Sequence, residues 1–255
     1  MPAPRPSRRA KPGPTPAYAN IPRWGLVDAH PDSTDPVSET SADPVSLTTD
    51  ALVRALRLAT LMLAAAGVVH AIRYLVAVVN RTRPIPAWID WLTSIGVLVF
   101  GLMALVAVVM TTVAFGRWVR QIRVRQYEST GFVDPRHVVW VYLLSMIPLV
   151  NVVGAPWLLH EAARVAEPDA RADRVRVRLA AAWAVVNAVA VLAVGYRIAA
   201  WSTSSLQVDA DALALVTAVF AVSAVFAHWA VRRIKILAGT LDPAAERPIR
   251  RLVAA

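Results

Sequence analysis

The sequence predicts an all-α membrane protein: about four transmembrane helices plus a proline-broken helical hairpin, behind a disordered N-terminal tail. Three observations predict it. Of the 255 residues, 57% are hydrophobic and the mean hydropathy is +0.50, above the roughly 45–50% apolar share of soluble domains. The apolar excess lies in long blocks after residue 51, whereas residues 1–50 are polar and proline-rich. The basic residues, 27 Lys+Arg against 17 Asp+Glu for a net charge of +10, gather at the ends of those blocks. That is the positive-inside pattern of membrane proteins. Nucleic-acid binding would instead need a basic patch on a soluble fold, so no nucleic-acid partner is expected. The chain has no cysteine, which excludes disulfides, thiolate metal sites and cysteine nucleophiles.

The tail, 1–50, carries Pro2, Pro4, Pro6, Pro12, Pro14 and Pro16, then a run rich in Asp, Ser and Thr. It has too little apolar surface to offset the entropy of ordering. Its basic start, with Arg5, Arg8, Arg9 and Lys11, has no apolar region behind it, so it does not read as a signal peptide. The patch from Tyr18 to Val27 reads as a short sticky segment at the membrane surface.

A spanning helix needs about 20 mostly apolar residues. The first block runs from about 52 to 79, with Thr48 or Thr49 as its cap and Pro84 and Pro86 in the turn behind it. The second covers 88–115, with Asp90 its one charge. Two further spans cover about 179–201 and 210–231, and residues 236–255 form a basic C-terminal tail. Trp88, Trp91, Trp118, Trp201 and Trp229 lie near span ends, where indole rings prefer the interface. Ala180, Ala184 and Ala188 in one helix, and Ala210, Ala214 and Ala218 in the next, have the small-residue spacing that lets backbones approach. An antiparallel pair follows from the short link between them.

The remaining apolar block, 138–160, is unlike the others. Pro148, Asn151, Gly154 and Pro156 interrupt it, and a helix breaks at such residues. Loop charges decide whether it crosses. Arg117, Arg120, Arg123, Arg125 and Arg136 precede it, and Arg164, Arg171, Arg174, Arg176 and Arg178 follow. Arginine-rich segments on both sides belong on one face of the membrane. A re-entrant or kinked hairpin with four crossings keeps both, and both termini, in the cytosol of a plasma-membrane protein. Five spans, the alternative, would export one arginine-rich loop and the C-tail. Irregular backbone in such a hairpin must be covered by protein.

The stretch F-G-R-W-V-R-Q-I-R-V-R (115–125), then G-F-V-D-P-R-H (131–137) and I-P-L-V-N-V-V-G-A-P-W-L-L-H-E (147–161), resembles the DUF4328 family of actinobacterial membrane proteins. The tail piece from Thr15 to Asp28 is similar to a segment upstream of the domain in mycobacterial members. The resemblance covers roughly residues 50–235. It implies a helical membrane domain and no particular activity.

Few residues suggest chemistry. His160-Glu161-Ala-Ala-Arg164 falls one histidine short of a zinc-protease helix, so no metal ligand, catalytic group or cofactor site is assigned. His70 and Arg73 share a face of the first helix, and an ionisable group inside a span is a functional candidate by default. Arg73 also stands level with Asp90, which predicts an ion pair that makes both tolerable. Asn151 in the hairpin and Asn187 are midspan amides, most simply hydrogen-bonded between helices. Arg117, Arg120, Arg123 and Arg125 read as contacts to anionic headgroups. Taken together, these features favour a non-enzymatic scaffold or accessory subunit, with the tail as tether to a protein partner and homo-oligomerisation open. A transporter or channel component using 138–160 is the alternative. A lipid-acting enzyme using His160 and Glu161 is the third reading.

Overall fold

In a computed structural model the described residues are 43–165, 169–203 and 205–240. Six helices form there: α1 (Pro44–Asn80), α2 (Ala87–Ser129), α3 (Val138–Met146), α4 (Val150–Ala163), α5 (Ala170–Ser202) and α6 (Leu206–Leu237). Four of them, α1, α2, α5 and α6, are long and apolar enough to cross a membrane. The expected tail up to residue 42, with its Tyr18–Val27 patch, and the C-tail beyond residue 240 lie outside the described residues.

The first helix starts earlier than its apolar block. Pro44 takes the first helical position, where a missing N–H costs nothing, and Asp43 accepts from the backbone N–H of Val45. Residues 44–50, expected in the tail, are therefore helical. Thr49 does not cap. It donates to the carbonyl of Val45 and accepts from the indole N–H of Trp118 at 3.1 Å. Trp118 is accordingly buried in the core rather than at the interface, while Trp88, Trp91 and Trp201 are exposed.

At 43 residues, α2 is about 65 Å long, twice the roughly 30 Å hydrocarbon thickness. It runs on through the arginine segment instead of ending at Phe115. It stops at Gly131, whose φ of +74° suits a residue without Cβ. There the N–H groups of Gly131 and Phe132 return to the carbonyls of Glu128 and Tyr127, which satisfies two end carbonyls.

Residues 138–163 double back. Helices α3 and α4, nine and 14 residues long, are about 14 and 21 Å, each too short to cross. The turn between them holds Pro148 and Leu149, and the N–H of Val150 bonds to the Pro148 carbonyl at 2.8 Å. Leu149 has φ +65° and ψ −43°, a γ-turn of the strained hand. At Gly154, α4 lies so close to α3 that a Cβ would collide with the Leu144 carbonyl oxygen. A kinked continuous span would hold residues 144 and 154 about 15 Å apart. The hairpin is therefore real, and Pro148 makes it. Pro156 sits inside α4 without breaking it.

The long helices lie in the row α2–α1–α6–α5, and the hairpin leans on α2 and α5. Two clusters hold them. At the arginine end Leu52, Trp118, Ile122, Val141, Leu158 and Ile234 pack as in a soluble core. Further along, Ala59, Ala66, Ala104, Ala107 and Ala224 let α1, α2 and α6 approach closely. Helices α5 and α6 pair as expected, but on another face. The buried residues of α5 are Leu179, Val186, Ala193 and Ala200, a seven-residue repeat suited to a coiled-coil seam. Ala184 and Ala188 are exposed. Much of α2 between Leu98 and Val113 is exposed and apolar, the surface that hydrocarbon would cover.

Candidate functional site

Charged side chains converge where the hairpin meets the end of α2. Arg123 is fully buried. Its Nε and Nη2 donate to the two carboxylate oxygens of Asp134 at 2.9 and 2.6 Å, a fork-to-fork pair. Its Nη1 donates to the Leu158 carbonyl at 2.7 Å and to Glu161 at 3.2 Å. The guanidinium also lies over the ring of Tyr127. Glu161 accepts in addition from Nε of Arg136 at 2.5 Å, and Arg136 stacks on Trp157. The backbone N–H of Arg136 bonds to Asp134. Two cations and two anions thus close on one another and tie α2, the 130–137 loop and α4 together. Both ends of the hairpin meet in this knot, which also fixes them at one end of the bundle.

Arg125 joins that end to the rest. It pairs with Asp43 at the start of α1 and donates to the Ala238 carbonyl at the end of α6. The start of α1 and the ends of α2 and α6 are therefore level. Before α5, Asp169 accepts from the N–H of Arg171. The N–H groups of Arg171 and Ala172 hold its carboxyl below the usual carboxylate range.

At the far end Arg73 pairs with Asp90 and donates to Thr93, as the sequence predicts. His70 does not join them. It is buried against Phe220, and its Nδ1 lies 2.8 Å from the Ala66 carbonyl of its own helix. Asn187, expected to bond between helices, donates to Trp183 in its own.

A third feature is a cavity of about 670 Å³ between α4, α5 and the row of spans. Leu56, Phe115, Trp183, Phe226 and Ala230 supply apolar walls, and His160, Asp173 and Arg176 stand among its polar lining residues. Asn151 lines it too; this side chain is buried, and its Oδ1 has no hydrogen-bond partner.

The family model for DUF4328, a domain of unknown function, matches residues 81–238. The chain belongs to this family. No curated protein and no solved structure matches it. The matched DUF4328 range takes in α2 through α6 and starts just behind α1, later than the resemblance from about residue 50 suggests. Yet α1 supplies Thr49 to Trp118 and lies between α2 and α6, so a helix outside the matched range completes the packing of the domain.

Within the DUF4328 domain the site residues sort as follows. Glu161 enters the knot and His160 faces the cavity, exposed. Arg123, expected at a headgroup, is a correction: three protein acceptors and complete burial take it out of reach of lipid. Arg117 and Arg125 are exposed and Arg120 is half-buried. Asp134 and Tyr127 escaped sequence reasoning, and Arg136 counted there only as a loop charge. The signal was the Asp-Pro-Arg step behind Gly131, a turn that returns a carboxylate towards the helix it has just left. Among the described residues no three His, Asp or Glu side chains gather as metal ligands would.

Proposed function

We propose that this multi-span membrane protein is a non-enzymatic scaffold or accessory subunit with its arginine-rich end in the cytosol. One observation carries the reading. The charged groups that converge, Arg123, Asp134, Arg136 and Glu161, are satisfied by one another, as structural networks are and working acids and bases are not. Four threonine hydroxyls within the spans are occupied as well. Thr60, Thr111, Thr112 and Thr217 each donate to the carbonyl four residues back. Glu161, held by two arginines, is poorly placed to act as a general base, which weighs against the lipid-acting enzyme. The level arginine-rich ends and the positive-inside rule support this orientation. In that orientation Arg117, Arg120 and Arg125 meet anionic headgroups, worth about 1 kcal/mol each near the surface. The tail is the tether to a protein partner, and a second copy is a further candidate partner.

The transporter or channel reading draws on the strained turn at Leu149 in a discontinuous hairpin. Flux separates the two. Proteoliposomes holding the purified chain should keep potassium and proton gradients as long as empty vesicles do. A leak that Asn151→Ala alters would overturn the scaffold reading. Orientation is tested on the cysteine-free background with single cysteines at Ser129, Ala170, Ser204 and Ala254. An impermeant thiol reagent should label only Ser204→Cys from outside, and the opposite pattern reverses the assignment.

A further inference from the structure

The row α2–α1–α6–α5 does not close on itself. Among the described residues α2 and α5 make no contact, and the hairpin is what lies between them. The cavity sits in this gap. Its volume of about 670 Å³ falls in the roughly 300–1,000 Å³ range of small-molecule sites. It is elongated along the helices: on α5 the lining runs from Asp173 to Ala184, about 16 Å of helix.

Its chemistry is that of an amphiphile in negative. The walls are apolar. Asp173 and Arg176 stand on the first turns of α5 and His160 at the last turn of α4, so the charged groups gather at the arginine end. Arg176 is largely buried against its partner Asp173, and Arg171, Arg174 and Arg178 surround them on the same helix. Arginines outnumber carboxylates four to one on these turns of α5, so the pair with Asp173 leaves an excess of positive charge.

We propose that this cavity is a specific site for one anionic lipid of the surrounding bilayer, its acyl chain along α5 and its headgroup at His160 and Arg176. The source is the bilayer because the lining residues Val153, Trp157 and Val177 are exposed, so the cavity communicates with the apolar surroundings of the spans. A lipid tail gains little by leaving other tails for an apolar wall, so the head decides selectivity. An anionic head meets the excess of arginine on the first turns of α5. The inference rests on the four spans and holds whether or not the protein is a scaffold.

The test is electron paramagnetic resonance of spin-labelled phosphatidylglycerol and phosphatidylcholine in proteoliposomes of the full chain. The wild type should immobilise phosphatidylglycerol in preference to phosphatidylcholine, by roughly fivefold if one arginine sets the preference. Ala184→Trp fills the cavity from an exposed position and should abolish the preference. Arg176→Gln should reduce it to about the level of phosphatidylcholine, and Arg176→Lys should keep most of it. If Ala184→Trp does not fold, Arg176→Gln decides. A wild type without preference, or an unchanged preference in Ala184→Trp and Arg176→Gln, overturns the proposal.

Discussion

Each end of the bundle is closed by an arginine–carboxylate pair, and the two are held in opposite ways. At the hairpin end Arg123 keeps 0% of its side-chain surface, and Asp134 keeps 15%. At the far end Arg73 keeps 27% and Asp90 49%. Removing water from a guanidinium costs several kcal/mol, offset only when every donor finds an acceptor. Arg123 meets that demand with Nε, Nη1 and Nη2 all engaged. Arg73 engages Nη1 on Asp90 and Thr93 and leaves the rest to its surroundings. The same pair of residue types is thus a fold-defining knot in one place and a tolerated surface contact in the other. Burial makes the difference.

The largest effect should therefore come from Arg123→Gln. It strands Asp134 under the hairpin and leaves Glu161 with Arg136 alone, and breaking a buried pair costs about 3–5 kcal/mol. Thermal unfolding in detergent micelles should show a large loss of stability, with hydrogen exchange rising first along 138–163. An effect no greater than that of the same change at Arg73 would break the comparison.

Gly154→Ala comes next. The added methyl has no room against the backbone of Leu144, and overpacking costs about 1–3 kcal/mol. Gly116→Ala sharpens the point, because its methyl meets the flexible end of Met146, 2.7 Å away. It should cost less. Equal losses in the same melting assay would mean that α3 and α4 are not in backbone contact.

Much of this architecture was legible in the sequence, and the failures share a cause. Apolar length marked four spans, and arginines on both flanks of 138–160, with Pro148 inside it, marked the hairpin. The Arg73–Asp90 pair followed from depth alone. Arg123 was misread because an arginine in a basic run looks like its neighbours until a distant carboxylate claims it. Asp134 stands 11 residues away and Glu161 38, and only the Gly131 turn and the hairpin bring them back. Trp118 failed likewise: its partner Thr49 is 69 residues earlier. The α5 seam was read from small residues at four-residue spacing, when the buried repeat was seven and included Leu179 and Val186. The cavity was not legible at all, since it depends on α2 and α5 staying apart.

The smallest effect should come from the far end, and there a double-mutant cycle is more telling than either single change. Exposed ion pairs contribute about 0–1 kcal/mol. Arg73→Ala and Asp90→Ala should each shift the melting midpoint slightly, with a coupling energy below about 1 kcal/mol. The exchanged pair, Arg73→Asp with Asp90→Arg, should recover most of the stability that either charge reversal alone removes. Tolerance of all four variants would mean that Arg73 is there because it can snorkel to the interface beside a counter-charge. A coupling above about 2 kcal/mol would instead place the pair in hydrocarbon, where an unpaired charge is costly. Burial by lipid would then have erased the contrast between the two ends that burial by protein creates.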